Sequence, residues 1–184
     1  MKLIKKGNAK IHKSCGIFNL PTSVCKHQCR GCYARKSELR FPIVLESRNR
    51  NLEASMDTDK FITDMVAEIT ASKVKVFRFH ESGDFYNQSY IGAWQVITQL
   101  CPDVKFYGYT KANHLNFSIF ESMHNVNLIR SITEIGFNFG NAKHCEELQE
   151  MGYELCPCVK GSTVECMKDC TICATSQKVC FLIH

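Results

Sequence analysis

Twelve cysteines stand in a chain of 184 residues, and six of them fall in two copies of one spacing. Cys25, Cys29 and Cys32 lie in CKHQCRGC, and Cys166, Cys170 and Cys173 in CMKDCTIC, both CxxxCxxC. A chain so rich in thiols is either stapled by disulfides or gives its thiolates to a metal. Ligation is favoured here because the thiols are clustered, and because 184 residues with 45% apolar content build a core without staples. The opening MKLIKKGNAKIHK has charge with no apolar stretch behind it, and no run approaches the roughly 18 residues of a membrane span. The expectation is a reduced, cytoplasmic protein with no membrane partner.

The net charge of +5 is unevenly spread. Residues 1–50 hold twelve Lys/Arg against two Asp/Glu, whereas the remainder holds eleven against sixteen. A basic first quarter is suited to nucleic acid or an acidic host protein. It equally suits the negative charge of a thiolate cluster.

Periodicity places the elements. KIHKSCGIFNLP reads as an irregular strand ended by Pro21, and ARKSELRFPIVLESRNRNLEA as helix interrupted by Pro42. Phe61, Ile62, Met65, Val66 and Ile69 share one helical face, with Asp57 or Thr58 as cap. Residues 73–80, 103–110 and 126–132 read as strands; residues 87–100, 112–123 and 142–151 read as helices. The alternation predicts a parallel α/β sheet with ligands at the carboxyl ends of its strands. The expected division is an α/β part over 1–140 and a cysteine-rich segment over 141–184. Residues 153–184 hold six cysteines and no clear apolar face, so this tail is expected to take a metal as its core.

Three thiols in one compact loop suit an iron-sulfur cubane with one iron left open, since thiolates are its preferred ligands. Zinc, with His27 as a fourth ligand, is the competing reading, and Cys15 is a distant candidate to complete the set. In the tail, Cys156, Cys166, Cys170 and Cys173 supply a four-thiolate set compatible with a second [4Fe-4S] cluster or with zinc. Cys158 and Cys180 are expected to be spare, and Cys101 and Cys145 to be buried thiols. His80 is expected to be a hydrogen-bonded structural histidine and Trp94 a packing residue.

The early CxxxCxxC loop resembles the signature of the radical S-adenosylmethionine superfamily. That resemblance implies a shortened (β/α) barrel, a site-differentiated [4Fe-4S] cluster on Cys25, Cys29 and Cys32, and a cofactor, S-adenosylmethionine, bound by the open iron. It further implies that Ser82, Gly83 and Asp84, which end the strand in FRFHESGDFY, contact the cofactor's amino group; this chain has Ser82 and Asp84 where the family has glycine and glutamate. The tail is similar to the auxiliary-cluster segments of some radical enzymes. Across nearly the whole chain, FNLP, CYARK, RFHESGDFY and FYGYTK together resemble a family of bacteriophage gene products, which implies the cytoplasm of a host cell and names no substrate. The functional expectation is an iron-sulfur protein with radical chemistry on a macromolecular substrate. The alternative is a non-catalytic zinc or iron-sulfur module that binds nucleic acid or a host protein.

Overall fold

The basic N-terminal quarter opens with β1 (Lys5–Lys6), which runs antiparallel to β2 (Cys15–Ile17). The computed structural model describes residues 2–29, 31–131, 139–140, 142–158 and 162–182. Pro42 does not interrupt one helix but begins a second: α1 (Tyr33–Arg40) ends at Phe41, and α2 (Pro42–Met56) starts with proline in its first turn, where the missing N–H has no helical partner to lose. In α3 (Thr58–Ser72) the buried residues Phe61, Met65 and Ile69 recur every four, and the Asp57 side chain caps the start by accepting from the Lys60 amide at 3.2 Å.

β3 (Val76–Arg78) is shorter than its alternating sequence suggests. Asn87 caps α4 (Gln88–Leu100), accepting from the Tyr90 amide at 2.8 Å, and this helix buries Tyr90, Ile91, Trp94 and Ile97. β4 (Lys105–Thr110) follows. The helix expected over 112–123 contracts to α5 (Ser118–Glu121). Asn116 takes the Ser118 amide on its side chain at 2.9 Å and gives its carbonyl to Gln88, local bonds that compete with an earlier helix start. After β5 (Val126–Arg130) come β6 (Phe139–Gly140), α6 (Ala142–Glu150), β7 (Glu154–Leu155) and β8 (Val179–Leu182). Ile132, the last residue of one expected strand, and the junction at 141 lie outside the described residues.

Strands β1 to β5 lie side by side in sequence order, with β2 through β5 parallel. The architecture is a mixed α/β fold with a mainly parallel sheet, as expected. Phe77 and Phe106 point to α3 and α4, where Trp94 meets Phe18, Phe61, Phe77 and Phe79 at centroid distances of 5.1 to 5.7 Å. Alternation then sends Cys15, Ile17, Tyr107 and Ile129 to the opposite face.

That second face carries a correction. The tail does not depend on a metal alone for closure: Cys156, Met167, Cys173 and Val179 pack with Ile11, Ile17, Tyr107 and Ile129 as a second core, and β8 lies between β6 and β7 in a small parallel sheet. Its apolar residues lack periodicity because the sheet supplies the opposing surface. Among the described residues no helix is long and apolar enough to cross a membrane.

Candidate functional site

The chain leaving β2 crosses the carboxyl ends of the parallel strands before it reaches the first cysteine triad. Asn19 fixes that crossing by accepting from the amides of Glu81 and Ser82 at 2.8 and 3.1 Å, while the Leu20 amide donates to the Ser82 carbonyl at 2.9 Å. Thr22 is fastened next. Its amide donates to Glu38 at 2.9 Å, its hydroxyl donates to the other Glu38 oxygen, and Arg48 donates to Glu38 at 2.9 Å and to the Ala34 carbonyl at 3.1 Å. Glu38 and Arg48 are both buried, so an ion pair anchors the base of the loop.

Cys25, Cys29 and Cys32 follow within this one loop, all half-buried. Burial pushes the Cys25 thiol up to about 12, and the negative charges of Asp84, Cys32 and Cys29 add to the effect. The Lys111 ammonium, from the end of β4, lies 3.3 Å from the Cys29 sulfur. Gly31 turns the chain at φ +76°, and the Tyr33 hydroxyl donates to the Glu81 carbonyl at 2.6 Å.

The turn after β3 lies against this loop. Gly83 has φ +82° and faces Leu20 so closely that an added Cβ would sit 2.5 Å from the Leu20 Cβ and 2.9 Å from its carbonyl oxygen. Asp84 is a strut between strands: Oδ1 accepts from the Thr110 hydroxyl at 2.6 Å and the Phe85 amide at 2.8 Å, and Oδ2 from the Lys111 amide at 2.8 Å. Burial raises the Asp84 carboxyl against the pull of those bonds. Among the described residues the buried Ser82 hydroxyl finds no partner. Asp84 as a tie to β4 is a role that sequence reasoning missed; Thr110 at the end of FYGYT was the available signal.

The tail thiols gather on the far side of the sheet. Cys156, Cys158, Cys166 and Cys173 pack into the second core together with Cys15. Cys170 is tied to them by bridge pairing with Cys166 and by its carbonyl, which accepts from the Met167 amide at 2.8 Å. Cys15 is fully buried beside this group, where its thiol is pushed up to about 12, chiefly by burial, with Arg78 opposing and Cys166 adding to the shift. Cys158 sits among Cys156, Cys166 and Cys170 rather than apart from them. Cys180 is buried next to Cys145, and Cys101 is buried against the helical core. No disulfide joins any of the twelve cysteines. Among the described residues no three of His, Cys, Asp and Glu stand together as an ion site.

His80 is a core residue. Its Nε2 meets the Tyr90 hydroxyl at 2.8 Å, and burial together with the nearby Arg78 charge depresses it to about 3. Arg78 lies over the rings of Tyr107 and Tyr109 at 5.8 and 5.7 Å, and Arg130 over Phe117 at 5.3 Å. What the arrangement provides is a set of thiols at each of two places, one open at the carboxyl ends of the parallel strands and one enclosed beneath the sheet.

Residues 2–149 match the family model described as Gene product 88. The Gene 88 protein of Mycobacterium phage L5 is 32% identical over 126 residues, covering 58% of this chain and 52% of the relative. The chain thus spans about half the length of that relative. The Gene 88 protein of Mycobacterium phage D29 is 27% identical over an alignment of 219 residues, covering 95% of this chain and 88% of the relative. No solved structure matches.

Proposed function

The chain belongs to the Gene product 88 family of phage proteins, and we propose that it is an iron-sulfur protein whose loop thiols Cys25, Cys29 and Cys32 hold a site-differentiated [4Fe-4S] cluster. The observation that carries this reading is the placement of three thiols in one loop over the carboxyl ends of parallel strands, beside the Lys111 ammonium. Lys111 offsets thiolate charge there, and the Glu38–Arg48 pair holds the loop's base. When bound, such a cluster supplies single electrons and one open iron.

S-adenosylmethionine is the cofactor this reading implies, with Ser82, Gly83 and Asp84 lining its site. The unpartnered Ser82 hydroxyl supports that part, because a buried polar group without a partner calls for one. Asp84 already accepts three hydrogen bonds, so its share would be a remaining lone pair. The tail set of Cys156, Cys166, Cys170 and Cys173 is proposed as a second metal site, iron-sulfur or zinc. The shortened radical-enzyme barrel belongs to the same proposal, supported by parallel strands in sequence order.

Anaerobic purification followed by iron and sulfide analysis tests the reading. About four irons are expected for each occupied cluster. Replacing Cys25, Cys29 and Cys32 together by Ala should remove the loop's share, and adding S-adenosylmethionine to the reduced protein should change its electron paramagnetic resonance signal. Colourless protein that takes up no iron would overturn the proposal.

A second reading rests on one surface. Leu39, Phe41 and Ile43 are exposed amid Arg35, Lys36 and Arg40, a basic and apolar patch suited to nucleic acid or a host protein. A metal-stabilised module that binds there without catalysis would show binding lost with Arg35, Lys36 and Arg40, and no response to S-adenosylmethionine.

A further inference from the structure

Between the N-terminal strand and the first two helices lies a cleft of about 650 Å³, lined from β1, the exit of β2, α1 and α2. That volume falls within the roughly 300–1,000 Å³ of ligand pockets. Its walls are tied in place by hydrogen bonds. The Leu3 and Ile4 amides donate to the Glu68 carboxylate of α3 at 2.8 and 3.0 Å, and the Asn51 side chain of α2 donates to the Leu3 and Asn19 carbonyls at 3.2 and 2.9 Å. Asn51 is buried yet lines the cleft; its amide nitrogen is used by those bonds, and among the described residues its amide oxygen accepts none.

Charge and an open ring are the further signs. The first fifty residues hold two carboxylates against twelve Lys/Arg, and both are spent, Glu38 on Arg48 and Glu46 on Arg50. Lys2, Lys5 and Arg50 line the cleft, and among the described residues Lys2 forms no ion pair. Glu81, a carboxylate of the same lining, is engaged by Lys5 at 3.6 Å and accepts from Asn8 and Asn19. Tyr33 is 63% exposed although its hydroxyl is pinned to the Glu81 carbonyl at 2.6 Å, so its ring is held in place with room for a partner against it. Ile43 carries the lining outward to the exposed Phe41 and Arg40, where α1 gives way to α2.

We infer that this cleft binds single-stranded nucleic acid, with phosphates on Lys2, Lys5 and Arg50 and an unstacked base on Tyr33. Cations that follow a backbone and an exposed ring that takes a base are the two parts of a single-strand site. A duplex keeps its bases stacked inside and offers the ring nothing. The carboxylates of an acidic peptide meet the cations but bring no flat face to Tyr33. The Asn51 oxygen calls for a donor, which the edge of a base supplies and a phosphate does not. The inference rests on the nucleic-acid side of the second reading and moves the site from the α1 patch into the cleft. It is independent of what the thiols hold, although Tyr33 directly follows Cys32.

Fluorescence anisotropy of the full-length protein with labelled single strands of about twelve nucleotides, one of DNA and one of RNA, tests the site over about 50–200 mM salt. At least one strand should bind, with affinity that falls as salt rises. Lys2→Gln strands no carboxylate and should weaken binding several-fold while lowering the logarithmic salt slope by about 0.7, and Lys5→Gln and Arg50→Gln should act in the same direction. Tyr33→Leu should weaken binding roughly five- to a hundredfold with the salt slope unchanged, whereas Tyr33→Phe, which keeps the ring and drops the Glu81 bond, should retain most of it. Urea midpoints of the variants separate loss of binding from loss of fold. Failure of both strands to bind at low salt would overturn the inference. Binding lost with Arg35, Lys36 and Arg40 but indifferent to Lys2 and Tyr33 would overturn it and leave the second reading standing. Displacement by polyglutamate as readily as by unlabelled strand would overturn it in favour of an acidic protein partner. The cluster reading is judged separately, by iron content.

Discussion

Replacing Gly83 by Ala separates two costs that usually arrive together. Gly31 and Gly83 have nearly the same φ, +76° and +82°. An added Cβ at Gly31 meets nothing within 4 Å among the described residues, whereas at Gly83 it would meet the Leu20 Cβ at 2.5 Å, its carbonyl oxygen at 2.9 Å and its carbonyl carbon at 3.0 Å. Left-handed backbone costs an L-residue roughly 1–2 kcal/mol, partly offset by about 0.4–1 kcal/mol from a stiffer unfolded chain. Gly31→Ala should therefore lose on the order of 1 kcal/mol. Gly83→Ala adds overpacking of about 1–3 kcal/mol. Leu20 has little room to yield, because it is fully buried and its amide is bonded to the Ser82 carbonyl at 2.9 Å. The total for Gly83→Ala is thus roughly 2–4 kcal/mol. Urea unfolding of the two metal-free variants beside the parent measures both, provided the m-value is unchanged. Equal losses at the two positions would show that the turn does not rest on Leu20 as described.

Glu38→Ala should cost about 3–5 kcal/mol, because Arg48 is left buried and unpaired; urea unfolding gives the loss, and faster proteolysis between Thr22 and Cys32 would show that the loop's base has been released. His80 should make the protein acid-labile. Its folded value of about 3 lies below the ordinary 6.5, so between those values the unfolded chain binds the extra proton and stability falls as pH falls, by roughly 5 kcal/mol over the interval. His80→Gln should flatten that slope in denaturation curves taken from pH 7 to pH 4, and an unchanged slope would exclude His80 as its source.

The helices α3 and α4 were legible because each carries its own evidence: residues four apart along a face, and Asp57 or Asn87 in front. The strands were legible from alternation, and the sheet's parallel order followed from helices between them. The fate of the tail was not legible. Met167 and Ile172 stand apart in sequence, Val179 and Phe181 fall in the short apolar run VCFLI without helical period, and the surface they meet is built from every second residue of strands far earlier in the chain. One sign was present in β4, where Phe106 and Tyr107 are adjacent and both large; a strand apolar on both faces implies a sheet covered on both sides. The placement of Cys15 with the tail thiols, rather than with the nearby loop, follows from the same alternation. The helix expected over 112–123 failed for the opposite reason: its apolar spacing was adequate, but Asn116 offered the backbone a closer partner.

The tail's position makes its inheritance conditional. The match to the family model ends at residue 149, whereas the surface that the tail covers, with Ile17, Tyr107 and Ile129, lies wholly inside the matched stretch. A close-packed interior registers a change of a single methylene, so a substitution at Tyr107 or Ile129 alters the fit of Met167 and Val179. Two relatives that exchanged their last forty residues would therefore each receive a lid cut for another sheet.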